Sequence, residues 1–144
     1  MSDLLLIIHA FATMVMVGVI WTVQLVHYPL FALVGREGFE RYQRAHMHRI
    51  TLIVGPAMLT EAITTVWLVV LPPDDVDGLL AWIGLALLSV LWLSTATVQG
   101  PTHQRLSQGY EDRLVRRLVL SNWVRTVAWS ARGVIALLLL AEVG

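Results

Sequence analysis

The chain has 144 residues, with ten acidic residues, ten arginines, no lysine, no cysteine and a formal net charge of zero. Hydrophobic side chains make up 57% of it and the mean hydropathy is +0.71, which excludes an ordinary water-soluble domain and leaves room for one compact unit. The lack of cysteine excludes disulfides, thiolate metal sites and thiol redox chemistry within the chain.

Four apolar runs, at about 4–34, 43–71, 78–100 and 112–142, pass the length of about 20 residues needed to span a bilayer. Their short connections make consecutive helices antiparallel neighbours. The expected fold is an all-α integral membrane protein, a transmembrane up-down-up-down four-helix bundle forming a single domain over 1–144. No basic residue precedes the first run and no small-residue cleavage site closes it, so no cleavable signal peptide is expected. Arg36, Arg41, Arg44, Arg49, Arg105, Arg113, Arg116 and Arg117 gather in or beside the first and third connections, whereas Asp3, Asp74, Asp75, Asp77 and Glu142 share the opposite end. The positive-inside rule then puts both connections in the cytoplasm and both termini on the non-cytoplasmic side. Sorting of topology accounts for these arginines, so nucleic acid is not an expected partner. The lipid bilayer is.

The first run carries polar residues at a helical period. His9, Thr13, Met16, Ile20, Gln24 and His27 are separated by 4, 3, 4, 4 and 3 residues and line one face. Such a stripe cannot face lipid and calls for partner helices. Pro29 removes the backbone bond to residue 25 and predicts a kink beside His27 and Tyr28. Trp21 and Tyr28 read equally as interior groups or as part of an interfacial aromatic belt.

In the second run His46 and His48 stand roughly 200° apart around a helix, so only one faces the interior. His46 is the inward choice, because Ile50, Ile53, Ala57, Thr60 and Thr64 continue its face. Pro56 predicts a second kink, and Glu61 lies roughly 22 Å deeper than His46. The third run is the most apolar, with Ser89, Thr95 and Gln99 among its few polar positions. It is expected to end at Gly100-Pro101, leaving His103 beyond the helix. In the fourth run Leu118, Asn122, Arg125, Trp129, Arg132 and Ala136 repeat at 4, 3, 4, 3 and 4, an inward stripe holding two arginines.

These directions bring His27, His46, His103, Gln24, Gln99, Asn122 and Arg125 to the cytoplasmic end of the bundle. Three imidazoles within reach of one another suit a transition metal, and two of them suit haem. Used as an acid–base site, the same cluster assigns His27 and His46 to proton transfer, Arg125 to an oxyanion, and Asn122, Gln24 and Gln99 to orienting a substrate. Two alternatives stand beside these: a pocket for an anionic or polar small molecule with Arg125 as its clamp, and, blandly, a set of groups that bond one another and lock the helix ends. Deeper in the bundle a Glu61–Arg132 pair neutralises two intramembrane charges, with His9 joining through Thr13 or water. That pair reads as a structural ion pair or as part of a substrate or proton relay.

The strings VHYPLF with F-x-x-Y-x-x-x-H, and QGPTHQRL with NWVRTVAWSARG, resemble small bacterial four-helix membrane proteins. The second string is more distantly similar to the anthrone-oxygenase-like membrane family, on Pro101, Leu106, Trp123 and Arg125, with His103 standing where that family has Asn. The resemblance implies the bacterial cytoplasmic membrane and an oxidoreductase of oxygenase type acting on a lipid-soluble substrate. Two other readings stay open: a binding or transport unit, oligomeric with copies of itself, using Glu61, Arg132 and His9, and a structural assembly subunit.

Overall fold

The computed structural model describes residues 2–74 and 76–142, Ser2 through its backbone alone; Asp75 of the acidic end lies outside the described residues. The protein is all-helical, with four helices long and apolar enough to span a membrane: α1 (Asp3–Leu33), α2 (Phe39–Val70), α3 (Gly78–Leu106) and α4 (Asp112–Ala141). Helix α1 packs on α2 and α4, and α3 packs on α2 and α4. The bundle therefore closes in chain order, with α1 opposite α3 and α2 opposite α4. Neighbours are antiparallel, since His9 near the start of α1 meets Thr64 near the end of α2, and His27 near the end of α1 meets His46 near the start of α2.

Three apolar layers fill the interior. Phe31, Phe39, Leu106 and Leu118 form the arginine-rich end, Met16, Met58, Leu91 and Trp129 the middle, and Leu6, Leu68, Ala81 and Leu139 the acidic end. The outer surface is also apolar, with Phe11, Leu33 and Trp82 well exposed. Where the outside is as apolar as the inside, helices are held by close packing and polar contacts rather than by a hydrophobic difference. Gly133 shows the packing: an added Cβ would meet Val17 Cγ2 at 3.0 Å and Met14 Sδ at 3.4 Å.

Both predicted boundaries next to the site shift outward. Helix α2 starts at Phe39 rather than 43, so Gln43 is already on it, and α3 runs through Pro101 to Leu106. For α3, as for the continuous path of α1 through Pro29, the physical reason is a widened, five-residue turn before the proline. Val23–His27 of α1 and Thr95–Gln99 of α3 adopt π geometry, with Tyr28 N donating to Val23 O and Gly100 N to Thr95 O. The wider turn accommodates the ring and the missing N–H of Pro29 and Pro101 without ending the helix. Pro56 likewise leaves α2 uninterrupted. The inward face of α2 is broader than expected: Ile53 is exposed, Ala57 and Thr64 face inward as predicted, and Val54, Met58, Glu61, Thr65 and Leu68 join them in the interior.

Replacing Gly133 by leucine forces α1 and α4 apart and should lower stability by about 1–3 kcal/mol. Helicity followed through a denaturing-detergent titration reads the loss. An unchanged midpoint would show that the two helices do not pack this closely.

Candidate functional site

The site is built where the two widened turns face each other across the bundle. An extra residue per turn shifts the register, so the consecutive residues His27 and Tyr28 both find partners. His27 Nε2 lies 2.8 Å from His46 Nδ1 on α2. The Tyr28 hydroxyl crosses the bundle to His103 Nε2 on α3, also at 2.8 Å. His103 is buried rather than free beyond a helix end, because α3 continues past Pro101. Its other ring nitrogen, Nδ1, receives the Gln43 amide at 2.8 Å. With Nδ1 accepting from Gln43, Nε2 carries the ring proton and donates to the Tyr28 oxygen, which leaves the Tyr28 O–H free to donate elsewhere.

A second chain of bonds approaches from α4. Gln24 Nε2 donates to the Val119 carbonyl at 3.2 Å, and its Oε1 accepts from Asn122 Nδ2 at 2.9 Å. Asn122 Oδ1 accepts from Arg125 Nη1 at 3.1 Å. The Arg125 guanidinium lies over the Trp129 ring, 5.0 Å from its centre. Gln99 Nε2 donates to the Ser121 hydroxyl at 3.0 Å.

Between these two sets is a cavity of about 150 Å³, with Tyr28, His46, His103, Thr95, Gln99 and Arg125 among its lining residues. Its electrostatics are one-sided. Arg125 is 7% exposed, its Nε is buried without a partner, and among the described residues no carboxylate lies within ion-pairing distance of it. Gln99 Oε1 and Gln43 Oε1 are buried without partners as well. A buried cation lacking a counter-charge is unfavourable unless an anion or a strong acceptor joins it.

The deeper constellation is saturated by comparison. Glu61 is fully buried; its Oε1 accepts from Arg132 Nε and Nη2, each at 3.3 Å, and its Oε2 accepts from Trp129 Nε1 at 3.0 Å. Arg132 also donates to the Thr65 hydroxyl at 3.0 Å and to the Gly84 carbonyl. His9 reaches this pair through Thr64, its Nδ1 at 2.8 Å from that hydroxyl. Thr13, the expected bridge, has a buried hydroxyl with no partner.

The structure thus brings together Gln24, Asn122 and Arg125 in one chain, and His27 with His46 in another. It does not assemble the three-imidazole ligand set expected for a transition metal or haem. Among the described residues no group of three His, Asp or Glu side chains is placed to hold a metal ion. Both ring nitrogens of His103 are engaged by Tyr28 and Gln43, and His27 and His46 bond each other. His48 points outward and is exposed. Gln43 escaped the sequence reading, as did the partner of Tyr28, whose interior and belt readings stand level in the sequence. Gln43 lies three residues before His46, on the same helical face, and that spacing was the signal available for it. No family model, no curated protein and no solved structure matches the chain.

Removing Glu61 alone leaves the Arg132 cation buried, so Glu61→Ala should lose about 3–5 kcal/mol of stability. The double variant Glu61→Leu/Arg132→Leu should regain most of it, as read in the same detergent titration. Equal losses for the single and double variants would show that the pair is not the interaction holding α2 to α4.

Proposed function

We propose that the protein is a multi-pass protein of the bacterial cytoplasmic membrane, with its first and third connections in the cytoplasm and both termini outside, that binds a lipid-soluble molecule carrying an oxyanion or strong oxygen acceptor. The observation that carries this reading is Arg125: buried, lining a cavity, and matched by no carboxylate among the described residues. In a setting of low dielectric a guanidinium favours a charged oxygen more strongly than it would in water. Trp129 beneath it and Asn122 beside it fix its plane. Gln99, tethered to Ser121, sits across the cavity.

The arrangement around Tyr28 adds chemistry to binding. Gln43 holds the His103 tautomer whose Nε2–H donates to the Tyr28 oxygen, and that bond stabilises a Tyr28 hydroxyl that gives up its proton at the cavity. A head oxygen held by Arg125 next to that hydroxyl exchanges a proton with it. The role assigned to the site is therefore acid–base work on a membrane-dissolved substrate, with Arg125 stabilising the oxyanion form. The Glu61–Arg132 pair, with its donors and acceptors satisfied, serves as the fixed point of the bundle.

Benzoate tests the head site. The wild-type protein in lipid nanodiscs should bind it in calorimetric titration, and Arg125→Gln should weaken binding by about 10–100-fold, the worth of a charge-assisted hydrogen bond. No binding to the wild type, or equal binding to the variant, would sink the proposal. Orientation is tested separately, since the cysteine-free chain accepts single cysteines at exposed positions. A membrane-impermeant maleimide should label Asp74→Cys in intact cells and Gln108→Cys only after lysis. The reverse pattern would invert the topology.

A further inference from the structure

Outside the cavity, between α1 and α2, runs a groove of about 440 Å³ whose lining includes Met14, Val15, Gly18, Thr22 and Ile53. Val19, Val23, His46 and Ile50 line both spaces, so the groove and the cavity share a wall made of four side chains. Gly18 leaves this groove open: a Cβ built there meets nothing within 4 Å.

The two volumes differ in what they admit. A cavity of about 150 Å³ is the size that accepts a single benzene ring, well below the 300–1,000 Å³ typical of sites that take a whole drug-sized ligand. The cavity alone cannot enclose a molecule much larger than one ring. The groove lies within the typical range and is lined by apolar atoms. The cation and its neighbouring hydroxyl and amide, Arg125, Tyr28 and Gln99, stand on the inner space, whereas the groove's polar lining is Thr22 and the His27–His46 pair.

Resting on the head site described above, we propose that the ligand is an amphiphile of defined shape: one six-membered ring bearing an oxyanion, seated in the cavity against Arg125, with an unbranched apolar tail that leaves between α1 and α2 and lies in the groove. His46 stands at the threshold. It bonds His27 on the groove side and its ring centre is 5.7 Å from that of His103 inside, so the ring of the ligand enters past the His27–His46 pair. Ligand reaches the site sideways from the bilayer, without crossing water.

Three probes separate head from tail: benzoate, 4-octylbenzoate and octylbenzene, each titrated calorimetrically into nanodiscs holding the full chain, at matched membrane mole fraction. The wild type should bind 4-octylbenzoate at least tenfold more tightly than benzoate and should bind octylbenzene weakly. Gly18→Leu, which fills the groove, should abolish that tenfold gain and leave benzoate affinity unchanged. Val15→Phe fills the same groove from another position and should do the same, which guards against a folding defect in either variant. If both groove variants keep the full affinity for 4-octylbenzoate while Arg125→Gln loses it, the tail lies elsewhere; the portal is overturned and the head site stands. If octylbenzene binds as tightly as 4-octylbenzoate, recognition is of the tail alone and the ligand class proposed here is wrong. If Arg125→Gln binds all three probes like the wild type, the head site fails and this inference fails with it.

Discussion

Everything in this bundle depends on how a fully buried carboxylate is satisfied. Glu61 accepts from three donors, two on Arg132 and one on Trp129, and all three come from α4, the helix diagonally opposite. Tyr28 and His103 join the other diagonal. Diagonal contacts pass through the centre of a four-helix bundle and fix both rotation and depth, because a shift of either helix strands a polar group in an apolar interior. Adjacent helices are then positioned by smaller devices, such as the Arg132 contact to the Gly84 carbonyl and the His9–Thr64 bond.

The contrast between the two buried arginines follows from this constraint. Arg132 and Arg125 lie on one face of α4, both almost wholly buried, and composition alone does not distinguish them. Arg132 meets a carboxylate, a hydroxyl and a carbonyl, and so belongs to the frame. Arg125 meets one amide oxygen, the Tyr28 hydroxyl and an aromatic face, and its Nε is unpartnered. Trp129 links the two, donating to Glu61 while stacking under Arg125. The frame thereby holds the unmatched cation in place, which is the arrangement expected where a charge is kept for a ligand rather than for the fold.

The four helices and the inward stripes of α1 and α4 were legible in the sequence because polar residues recur at a strict helical period within apolar runs too long for anything else. His46 was separable from His48 by angle alone. The Glu61–Arg132 pair followed from depth and the need to neutralise both. What was not legible came from the backbone. The π turns before Pro29 and Pro101 changed the register by one residue, turned Tyr28 inward and kept His103 on a helix. A proline read by its usual effect predicts a break, and the accommodating turn is visible only once neighbouring helices fix the path. The metal reading finds no support among the described residues for the same reason: three histidines converge, but the register gives His103 to Tyr28 and Gln43 and pairs His27 with His46.

A local repeat, unread in the sequence, explains why the cavity is where it is. In both α1 and α3 a five-residue widened turn is followed by one residue and then proline, and both turns lie within two helical turns of the arginine-rich end. These helices are diagonal and run in the same direction, so the two turns meet at one level. Both turns border the cavity: Val23 and Tyr28 on one side, and Thr95, Gln99 and Gly100 on the other, are among its lining residues. Gly100 occupies in α3 the place that Tyr28 holds in α1, directly before the proline. Gly100 meets a demand of the backbone, since a Cβ there would lie 3.1 Å from Thr95 O across the widened turn, while the side chain at Tyr28 brings its hydroxyl to the cavity. The same backbone irregularity is used twice with opposite side chains: in α3 it keeps His103 on the helix, and in α1 it delivers the proton-exchanging group of the site.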